Sequence, residues 1–309
     1  MIEVRGLTKR YGPVQAVDHL SFDVRPGRVT GFLGPNGAGK STTMRLILGL
    51  EHPTAGSVRV DGRRYADLPL PLHAMGALLD ASAVHGGRRA VDHLWFLAQT
   101  NGIPRARVLD VLELVGLTSV AHKRIGGFSL GMSQRLGIAA ALLGDPPTLM
   151  FDEPINGLDP EGIVWVRGLF KGLAAEGRAV FVSSHLMSEM ALTADHLIVV
   201  GRGRLLAEGP TEELTARDGG RVRVRTPQVD ELTDLLAARH AAVSSAPDGT
   251  LTVRGLSAST IGDVARRAEV ALHELTPEHA SLEETFFELT NDSVEYRAER
   301  AAVLEGATR

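Results

Sequence analysis

The stretch Gly34-Pro-Asn-Gly-Ala-Gly-Lys-Ser-Thr42 decides the fold of this chain, because these residue types hold the phosphates of a nucleotide. It fits the pattern G-x-x-x-x-G-K-[ST], in which backbone N–H groups of a glycine-rich loop point at phosphate oxygens. The apolar run at 29–33 before it predicts a buried strand. The segment 42–50 after it predicts a helix, whose N-terminus adds partial positive charge. In this pattern Lys40 reaches the outer phosphates and the Ser41 hydroxyl ligates Mg²⁺.

The length, charge and composition of the chain narrow the class of protein. Its 309 residues exceed one ordinary domain, which predicts two. The formal net charge of −4 gives no support to a nucleic-acid surface, so we expect no nucleic-acid partner. The zero cysteines exclude a disulfide framework and a thiolate metal site. Because the N-terminus lacks a signal-peptide pattern and no apolar run approaches the ~20 residues of a bilayer span, we expect a soluble protein, for which any membrane role must come through a partner.

The order of apolar and polar segments predicts an α/β fold over residues 1–217 and a smaller α+β unit over residues 218–309. A mostly parallel sheet covered by helices is indicated by short apolar runs. These runs lie at residues 29–33, 148–151, 179–182 and 196–200.

The composition changes near Asp218, and the segments that follow predict a βαββαβ unit. They are a strand at 221–225, a helix at 230–239, a hairpin turn at 246–249, and helices at 257–268 and 281–290. The last helix opens with the capping box Ser281-Leu-Glu-Glu284. No catalytic constellation is recognisable in this part of the sequence.

A pair of carboxylates follows the predicted strand at 148–151, in the order Asp152-Glu153-Pro154. The end of a strand beside a phosphate loop is where an α/β sheet places its ligand chemistry. There Asp152 suits a contact to Mg²⁺, and Glu153 suits a general base for an attacking water. The tripeptide alone also fits a solvated turn, but the phosphate loop upstream favours the catalytic interpretation.

A second helix start, Phe128-Ser-Leu-Gly-Met-Ser-Gln-Arg135, precedes an apolar helix at 136–143. Ser129 is typical of an N-cap, and with the N–H of Gly131 it forms a helix start that favours an anion. On its own this stretch predicts a capped helix. Only together with the phosphate loop does it predict a second phosphate contact.

The motifs, taken in order, resemble those of the ATP-binding cassette (ABC) ATPases. GPNGAGKST resembles their phosphate loop, FSLGMSQR their signature motif, LMFDEP their second nucleotide motif, Asn156-Gly-Leu-Asp159 their D-loop, and Ser183-Ser-His185 their switch histidine. The resemblance covers about residues 1–217 and extends to the ATPase subunits of bacterial drug and antibiotic exporters. It implies a P-loop NTPase fold of ABC type, with a mixed sheet, a helical subdomain at about 81–145 and a small α+β C-terminal extension.

The resemblance also implies that ATP and Mg²⁺ are the ligands, and it assigns roles to individual residues. Tyr11 stacks on adenine, Glu153 is the catalytic base, His185 contacts the γ-phosphate and Lys40 completes the catalytic set. The residues implied to bind ATP are Tyr11, Gly34, Pro35, Asn36, Gly37, Ala38, Gly39, Lys40, Ser41, Thr42, Asp80, Ser129, Gly131 and Asp159. Those implied to bind the metal are Ser41, Asp80 and Asp152.

The chain departs from the family pattern at two places. Where the family commonly has Gln in a loop beside the phosphates, this chain has Asp80, which is shorter and adds negative charge. In the signature motif, Leu130 replaces a glycine and Met132 replaces a glutamine, whereas Ser129 and Gly131 remain. Because the phosphate-binding atoms survive, these departures bear on the rate and on dimer closure and do not exclude activity.

Two protein partners and a location are further implications of the resemblance. ATP closes a head-to-tail homodimer, in which Ser129 and Gly131 act on the nucleotide of the opposite subunit and Asp159 lies at the interface. An integral membrane permease meets the segment 80–101, so the chain is cytoplasmic and peripheral on the inner face of the cell membrane. For Trp95 and Phe96 in that segment, we favour core packing. Two other classes stay open, a soluble ABC ATPase acting on ribosomes or DNA and a nucleotide-sensing scaffold.

Overall fold

Residues 1–216, 221–246 and 248–278 are described by the structure, which is a computed structural model. They divide into two compact units, the first over Met1–Glu208 and the second beginning at Gly209. This division falls ahead of residue 217, where the sequence places the domain boundary. The predicted helix at 281–290 and its capping box lie outside the described residues. Within the described residues, no helix is both long and apolar enough to cross a bilayer.

The first unit is built on two sheets, and the central strands of the larger one are buried on both faces. Its strands are β1 (Ile2–Tyr11), β2 (Val14–Val24), β3 (Arg28–Leu33), β4 (Ala55–Val60), β5 (Met75–Leu78), β6 (Thr148–Asp152), β7 (Ala179–Ser184), β8 (His196–Gly201) and β9 (Arg204–Pro210). A six-stranded sheet has the order β5-β6-β7-β3-β8-β9, and its pairs from β5 to β8 are parallel. Every residue of β6, β7 and β8 is buried, as expected of a sheet covered on both faces. The predicted parallel strands are confirmed.

A three-stranded antiparallel sheet, in the order β2-β1-β4, shares an apolar core with the parallel one. The rings of Phe22 on β2, Phe32 on β3 and Phe181 on β7 lie with their centroids 5.2 to 5.8 Å apart. Such tilted aromatic contacts stabilise beyond the burial of the rings. The core therefore fixes β3, and with it the loop that leaves its carboxyl end. This second sheet is not predicted from the sequence, because bulges interrupt the alternation of β1 and β2.

The helices of this unit connect its strands, and the three α-helices between β5 and β6 in the sequence pack on one another. The α-helices of the unit are α1 (Lys40–Ile47), α2 (Pro71–Ala74), α3 (Ala90–Thr100), α4 (Arg105–Leu114), α5 (Leu130–Leu142), α6 (Pro160–Ala175) and α7 (Met187–Thr193). Phe96 on α3 is 49% exposed, with the Arg88 guanidinium 4.6 Å from its ring centroid, so core packing is wrong for Phe96. The reason is helix periodicity, since Leu94 and Ala98 occupy the buried face of α3. Trp95 is half-buried.

The second unit has the βαββαβ order that the sequence predicts. Its elements are α8 (Thr211–Ala216), β10 (Arg221–Arg225), α9 (Val229–Ala237), β11 (Ala242–Ser245), β12 (Leu251–Arg254), α10 (Ala258–Arg267) and β13 (Glu274–Glu278). The strands form one antiparallel sheet in the order β11-β12-β10-β13. The valines of β10 are buried between exposed or half-buried arginines. Apolar residues of α9 and α10 pack with these valines in one core.

Candidate nucleotide-binding and hydrolysis site

The predicted phosphate loop lies between β3 and α1, and two of its glycines have no room for a side chain. A Cβ at Gly39 would lie 2.3 Å from the carbonyl oxygen of Ala16, and its φ of +94° is one that L-residues rarely adopt. A Cβ at Gly34 would lie 2.6 Å from the carbonyl oxygen of Val200. The tight turn from strand to helix therefore depends on glycine at both positions.

Helix α1 begins at Lys40 without a side-chain cap, since Gly39 occupies the cap position. Its first N–H groups have no acceptor within the helix, and the helix dipole places partial positive charge there. The Lys40 side chain is buried, and its Nζ donates to the carbonyl oxygens of Gly34 at 2.6 Å and Pro35 at 3.3 Å. Burial lowers the pKa of the Lys40 ammonium, and the nearby Glu153 carboxylate opposes that shift. A cation and oriented N–H groups together suit a polyphosphate.

The carboxylates that follow β6 are held by a serine on the neighbouring strand β7. Asp152 and Ser183 are partners in the parallel register, and the Ser183 hydroxyl donates to Asp152 Oδ1. The oxygen of the same hydroxyl accepts from the backbone N–H of Glu153 at 3.0 Å. Because Asp152 and Ser183 are both buried, these bonds fix the point where the chain leaves the sheet. Ser183 has no predicted role, and its signal in the sequence is a hydroxyl near the end of an apolar strand.

The side chain of Glu153 lies between a histidine and a lysine. His185 Nδ1 is 2.9 Å from Glu153 Oε2, and Lys40 Nζ is 3.7 Å from Glu153 Oε1. The backbone of Glu153 has a φ of +48°, and such a left-handed conformation costs roughly 1–3 kcal/mol at a non-glycine residue. The carboxylate keeps part of its surface exposed and is accessible to water. The structure thus brings together the residues that the sequence predicts as catalytic, from three separate parts of the chain.

Tyr11, which is predicted to stack on adenine, ends β1 with 44% of its surface exposed. Its hydroxyl donates to Glu51, which also accepts from Arg45 Nε at 2.7 Å. Lys9 Nζ lies 4.9 Å from the ring centroid. Partial burial, followed by the hydrogen bond to Glu51, raises the pKa of the Tyr11 phenol. These contacts anchor the hydroxyl end of the side chain and leave ring surface accessible, as stacking requires.

Ser129 and Asp159 cap helices of their own. The Ser129 hydroxyl accepts from the N–H of Met132 at 3.2 Å, and the predicted N-cap is confirmed. Asp159 caps α6 by accepting from the N–H of Gly162 at 2.9 Å. Each of these hydrogen bonds satisfies one N–H of its helix start, and neither connects the helix to the cluster around Glu153.

The first turns of α5 also touch the loop at 154–159, between Glu153 and α6. A Cβ at Gly131 would lie 3.3 Å from the carbonyl oxygen of Gly157. Gln134 Nε2 donates to the carbonyl oxygen of Asn156 at 3.3 Å. The predicted signature motif and the predicted D-loop are therefore in contact within one chain.

Asp80, which is predicted to approach the phosphates and the metal, is exposed and forms a local turn. Its Oδ1 accepts from the N–H and the hydroxyl of Ser82 at 2.8 and 2.7 Å, and these bonds lower the pKa of the carboxyl. In the part of the chain that the structure describes, no group of three or more His, Cys, Asp and Glu could hold a metal. The donors Ser41 and Asp152 instead fit Mg²⁺, which keeps several waters and takes other ligands from substrate phosphates.

Comparisons with known proteins find relatives of both units. The family model described as ABC transporter matches residues 17–156, and a model described as a domain of unknown function (DUF8746) matches residues 220–283. The chain is 42% identical to the bacitracin transport ATP-binding protein of Bacillus licheniformis, over 71% of this chain and 72% of that one. It is 34% identical to the bacitracin transport ATP-binding protein of Enterococcus faecalis, over 94% of this chain and 96% of that one. A solved structure of an ATP-binding subunit of an ABC transporter matches with a TM-score of 0.65 at 27% identity, covering 70% of this chain and 92% of that one.

Proposed function

This chain belongs to the ABC transporter family as an ATP-binding subunit with ATPase activity, and we propose that it drives the export of an antibiotic or another drug- or lipid-like compound through a separate membrane permease. Two relatives that are named for bacitracin transport support this substrate class, and one of them matches nearly the whole chain. The permease selects the compound, and this chain drives its transport by hydrolysing ATP.

ATP is hydrolysed at the cluster of Lys40, Glu153 and His185. The observation that carries this assignment is the position of Glu153, whose two carboxylate oxygens lie 2.9 Å from His185 Nδ1 and 3.7 Å from Lys40 Nζ. Glu153 accepts the proton of the water that attacks the γ-phosphate, a role worth about 10²- to 10⁴-fold in rate. Lys40 and the N–H groups of α1 stabilise charge on the outer phosphates without reorientation. His185 orients Glu153 and contacts the γ-phosphate.

Ser41, Asp152 and Asp80 are the residues that would hold Mg²⁺. When bound, Mg²⁺ neutralises charge on the phosphate oxygens. Asp152 is suited to this position because the hydroxyl of Ser183 fixes one of its carboxylate oxygens. The other carboxylate oxygen is left for the metal or for a water that the metal binds.

A second copy of this chain completes each nucleotide site. Ser129 and the N–H of Gly131 in one subunit contact the γ-phosphate that the other subunit binds, at the positive end of helix α5. Asp159 lies at the interface between the subunits. Phosphates that are held from both sides draw the subunits together, and loss of the γ-phosphate lets them separate.

The permease docks beside helix α3, and the chain therefore works in the cytoplasm, peripheral on the inner face of the membrane. The exposed ring of Phe96, with the Arg88 guanidinium over it, offers an apolar surface beside a cation. Such a surface suits a short helix of a membrane protein.

We assign residues 1–217 to the ABC nucleotide-binding domain, with its helical subdomain at about 81–145, and residues 218–309 to an accessory domain. Every residue of the proposed nucleotide site precedes Arg217. A protein truncated after Arg217 is expected to bind an ATP analogue with the affinity of the full chain, measured by equilibrium binding. Failure of the folded truncated protein to bind would place part of the site in the accessory domain.

Capture of partners from native membranes tests the transport function. Glu153→Gln with ATP is expected to stay in the closed dimer and to co-purify a polytopic membrane protein, whereas Lys40→Ala recovers less of it. Co-expression of that protein with the wild-type chain is then expected to raise the concentration of bacitracin or a related antibiotic needed to inhibit growth. Recovery of ribosomal or DNA-associated proteins without a membrane protein would move the assignment to the soluble ABC ATPases.

A further inference from the structure

Leu130, which departs from the family's signature motif, makes a contact with the loop that follows Glu153. It begins helix α5 and is 55% exposed, yet its side chain lies against the backbone of Gly157. A Cβ at Gly157 would lie 2.1 Å from Leu130 Cδ2 and 2.5 Å from Leu130 Cγ. The side chain of Leu130 therefore fills the space that a side chain at position 157 would take.

Two backbone hydrogen bonds connect the loop around Gly157 to Glu153. The N–H of Asn156 donates to the carbonyl oxygen of Glu153 at 3.2 Å, and the N–H of Leu158 donates to the carbonyl oxygen of Ile155 at 3.2 Å. Gly157 lies inside the second of these two turns, with a φ of +76°. Since glycine has the largest conformational freedom of any residue, the loop gains order from whatever restrains it at that point.

We propose that Leu130 is a positioning residue for the ATPase reaction, which holds the loop at 154–159 on helix α5 and thereby fixes the direction of the Glu153 side chain. The proposal rests on the proposed role of Glu153 as the base. A glycine at position 130 would have no side chain to place on Gly157. The loop would then keep the hydrogen bond from Gln134 to Asn156 and lose the apolar contact one residue further along.

Removal of the Leu130 side chain is expected to slow the chemical step and to leave nucleotide binding unchanged. In Leu130→Ala and Leu130→Gly we expect kcat to fall about 3- to 30-fold, since a misplacement near 1 Å costs up to about 10²-fold. The KM for ATP is expected to stay near the wild-type value, because the phosphate loop and Tyr11 are untouched. Leu130→Met keeps an aliphatic chain over Gly157 and is expected to restore most of kcat.

A matched control separates this effect from the loss of any exposed leucine. Leu109 on helix α4 is 58% exposed, and Leu109→Ala is expected to keep the wild-type kcat. Hydrogen exchange supplies a readout that a change in global stability does not reproduce. In Leu130→Ala the amides of Asn156 and Leu158 are expected to exchange faster than in the wild-type protein and in Leu109→Ala.

A double-mutant cycle tests the contact itself. Gly157→Ala is expected to lower kcat, because the new Cβ must displace the side chain of Leu130. In the double variant Leu130→Ala with Gly157→Ala only the Cβ at position 130 remains near the new Cβ, at 3.2 Å, and a shift of a few tenths of an ångström relieves it. The loss is therefore expected to be smaller than the product of the two single losses. Multiplicative losses would show that the two residues act independently and would overturn the proposal.

The remaining outcomes separate this proposal from the proposed function. A kcat at or above the wild-type value in both Leu130→Ala and Leu130→Gly, with Glu153→Gln inactive, overturns the positioning role and leaves the base assignment standing. Wild-type turnover in Glu153→Gln removes the base assignment, on which the proposal rests. In the Glu153→Gln background, Leu130→Ala is expected to dimerise with ATP as the single variant does. A weakened dimer with unchanged exchange in the loop would mean that Leu130 acts across the interface instead.

Discussion

Helices α1 and α5 begin in opposite ways, although each start carries a glycine and each is proposed to contact phosphate. Helix α1 has Gly39 at its cap position, no side-chain cap and a buried lysine as its first residue. Helix α5 has Ser129 at its cap position, and the Ser129 hydroxyl already accepts from the N–H of Met132. The start of α1 keeps its N–H groups for an external acceptor, whereas the start of α5 has an internal one.

The two helix starts are therefore expected to contribute unequally to the binding of phosphate. A ligand at α1 meets donors that are already oriented within one subunit. A ligand at α5 competes with the cap of Ser129, whose hydrogen bond is worth about 1 kcal/mol. In the proposed dimer, the contact at α5 is therefore expected to contribute less binding free energy than the contact at α1, and to do so only when a second copy brings its phosphate.

The largest expected loss of turnover comes from a change in the cluster of Lys40, Glu153 and His185. Glu153→Gln keeps the shape of the side chain and removes the base, so turnover is expected to fall at least about 10²-fold. The affinity for ATP is expected to stay unchanged, because Lys40 and the loop remain. Steady-state ATPase assays and equilibrium binding measure the two quantities. Glu161→Gln, in the first turn of α6, is the matched control, and ordinary turnover in Glu153→Gln would contradict the assignment.

Gly39→Ala tests whether the start of α1 is as constrained as its geometry indicates. The new Cβ would meet the carbonyl oxygen of Ala16 at 2.3 Å, at a φ of +94°. We expect a loss of about 1–3 kcal/mol in the free energy of unfolding, together with weaker ATP binding. Denaturant unfolding and equilibrium binding check this. Gly168→Ala, where a Cβ on α6 meets nothing within 4 Å, is expected to lose neither, and full stability in Gly39→Ala would refute the constraint.

Ser129→Ala tests the start of α5, where one side chain is both the helix cap and a proposed phosphate contact. Loss of the cap is expected to cost about 1 kcal/mol in the free energy of unfolding, and loss of the γ-phosphate contact about 10- to 100-fold in turnover. Ser257 caps α10 in the same way, by accepting from the N–H of Thr260. Ser257→Ala is therefore expected to lose similar stability and no turnover. Equal turnover in the two variants would leave Ser129 with a capping role alone.

Gly131→Ala is expected to change the free energy of unfolding least among these variants. Its Cβ would lie 3.3 Å from the carbonyl oxygen of Gly157, a distance that a shift of a few tenths of an ångström relieves. Because alanine also favours the helix, the free energy of unfolding is expected to stay within about 1 kcal/mol of the wild-type value. Thermal and denaturant unfolding measure it. A loss as large as that of Gly39→Ala would show that the two helix starts are equally constrained.

Local patterns allow much of this architecture to be predicted from the sequence. The glycines of the phosphate loop, the apolar runs of the parallel strands and the cap of Ser129 each depend on residues close in the chain. The alternation of Arg221–Arg225 is equally local, and it predicts the buried valines of β10 correctly.

The remaining features depend on partners that are distant in the chain. The bonds of Ser183 to Asp152 and Glu153 follow from the register of β6 beside β7, which no local pattern contains. The contact of Leu130 with Gly157 depends on how α5 packs against a loop that follows only after strand β6. The exposure of Phe96 follows from the phase of α3, because an apolar segment alone does not say which of its residues face the core.

The position of β3 between β7 and β8 has a consequence for the synthesis of the chain. Strand β3 ends at Leu33, whereas its neighbours in the sheet span residues 179–201. At roughly 5–20 residues per second, the stretch from Leu33 to Gly201 takes about 8 to 34 s to synthesise. During that time the apolar strand β3 has no neighbouring strand to pair with, and such an unpaired strand is prone to aggregation. A nascent chain that stops before Ala179 therefore carries the complete phosphate-loop sequence and no formed nucleotide site.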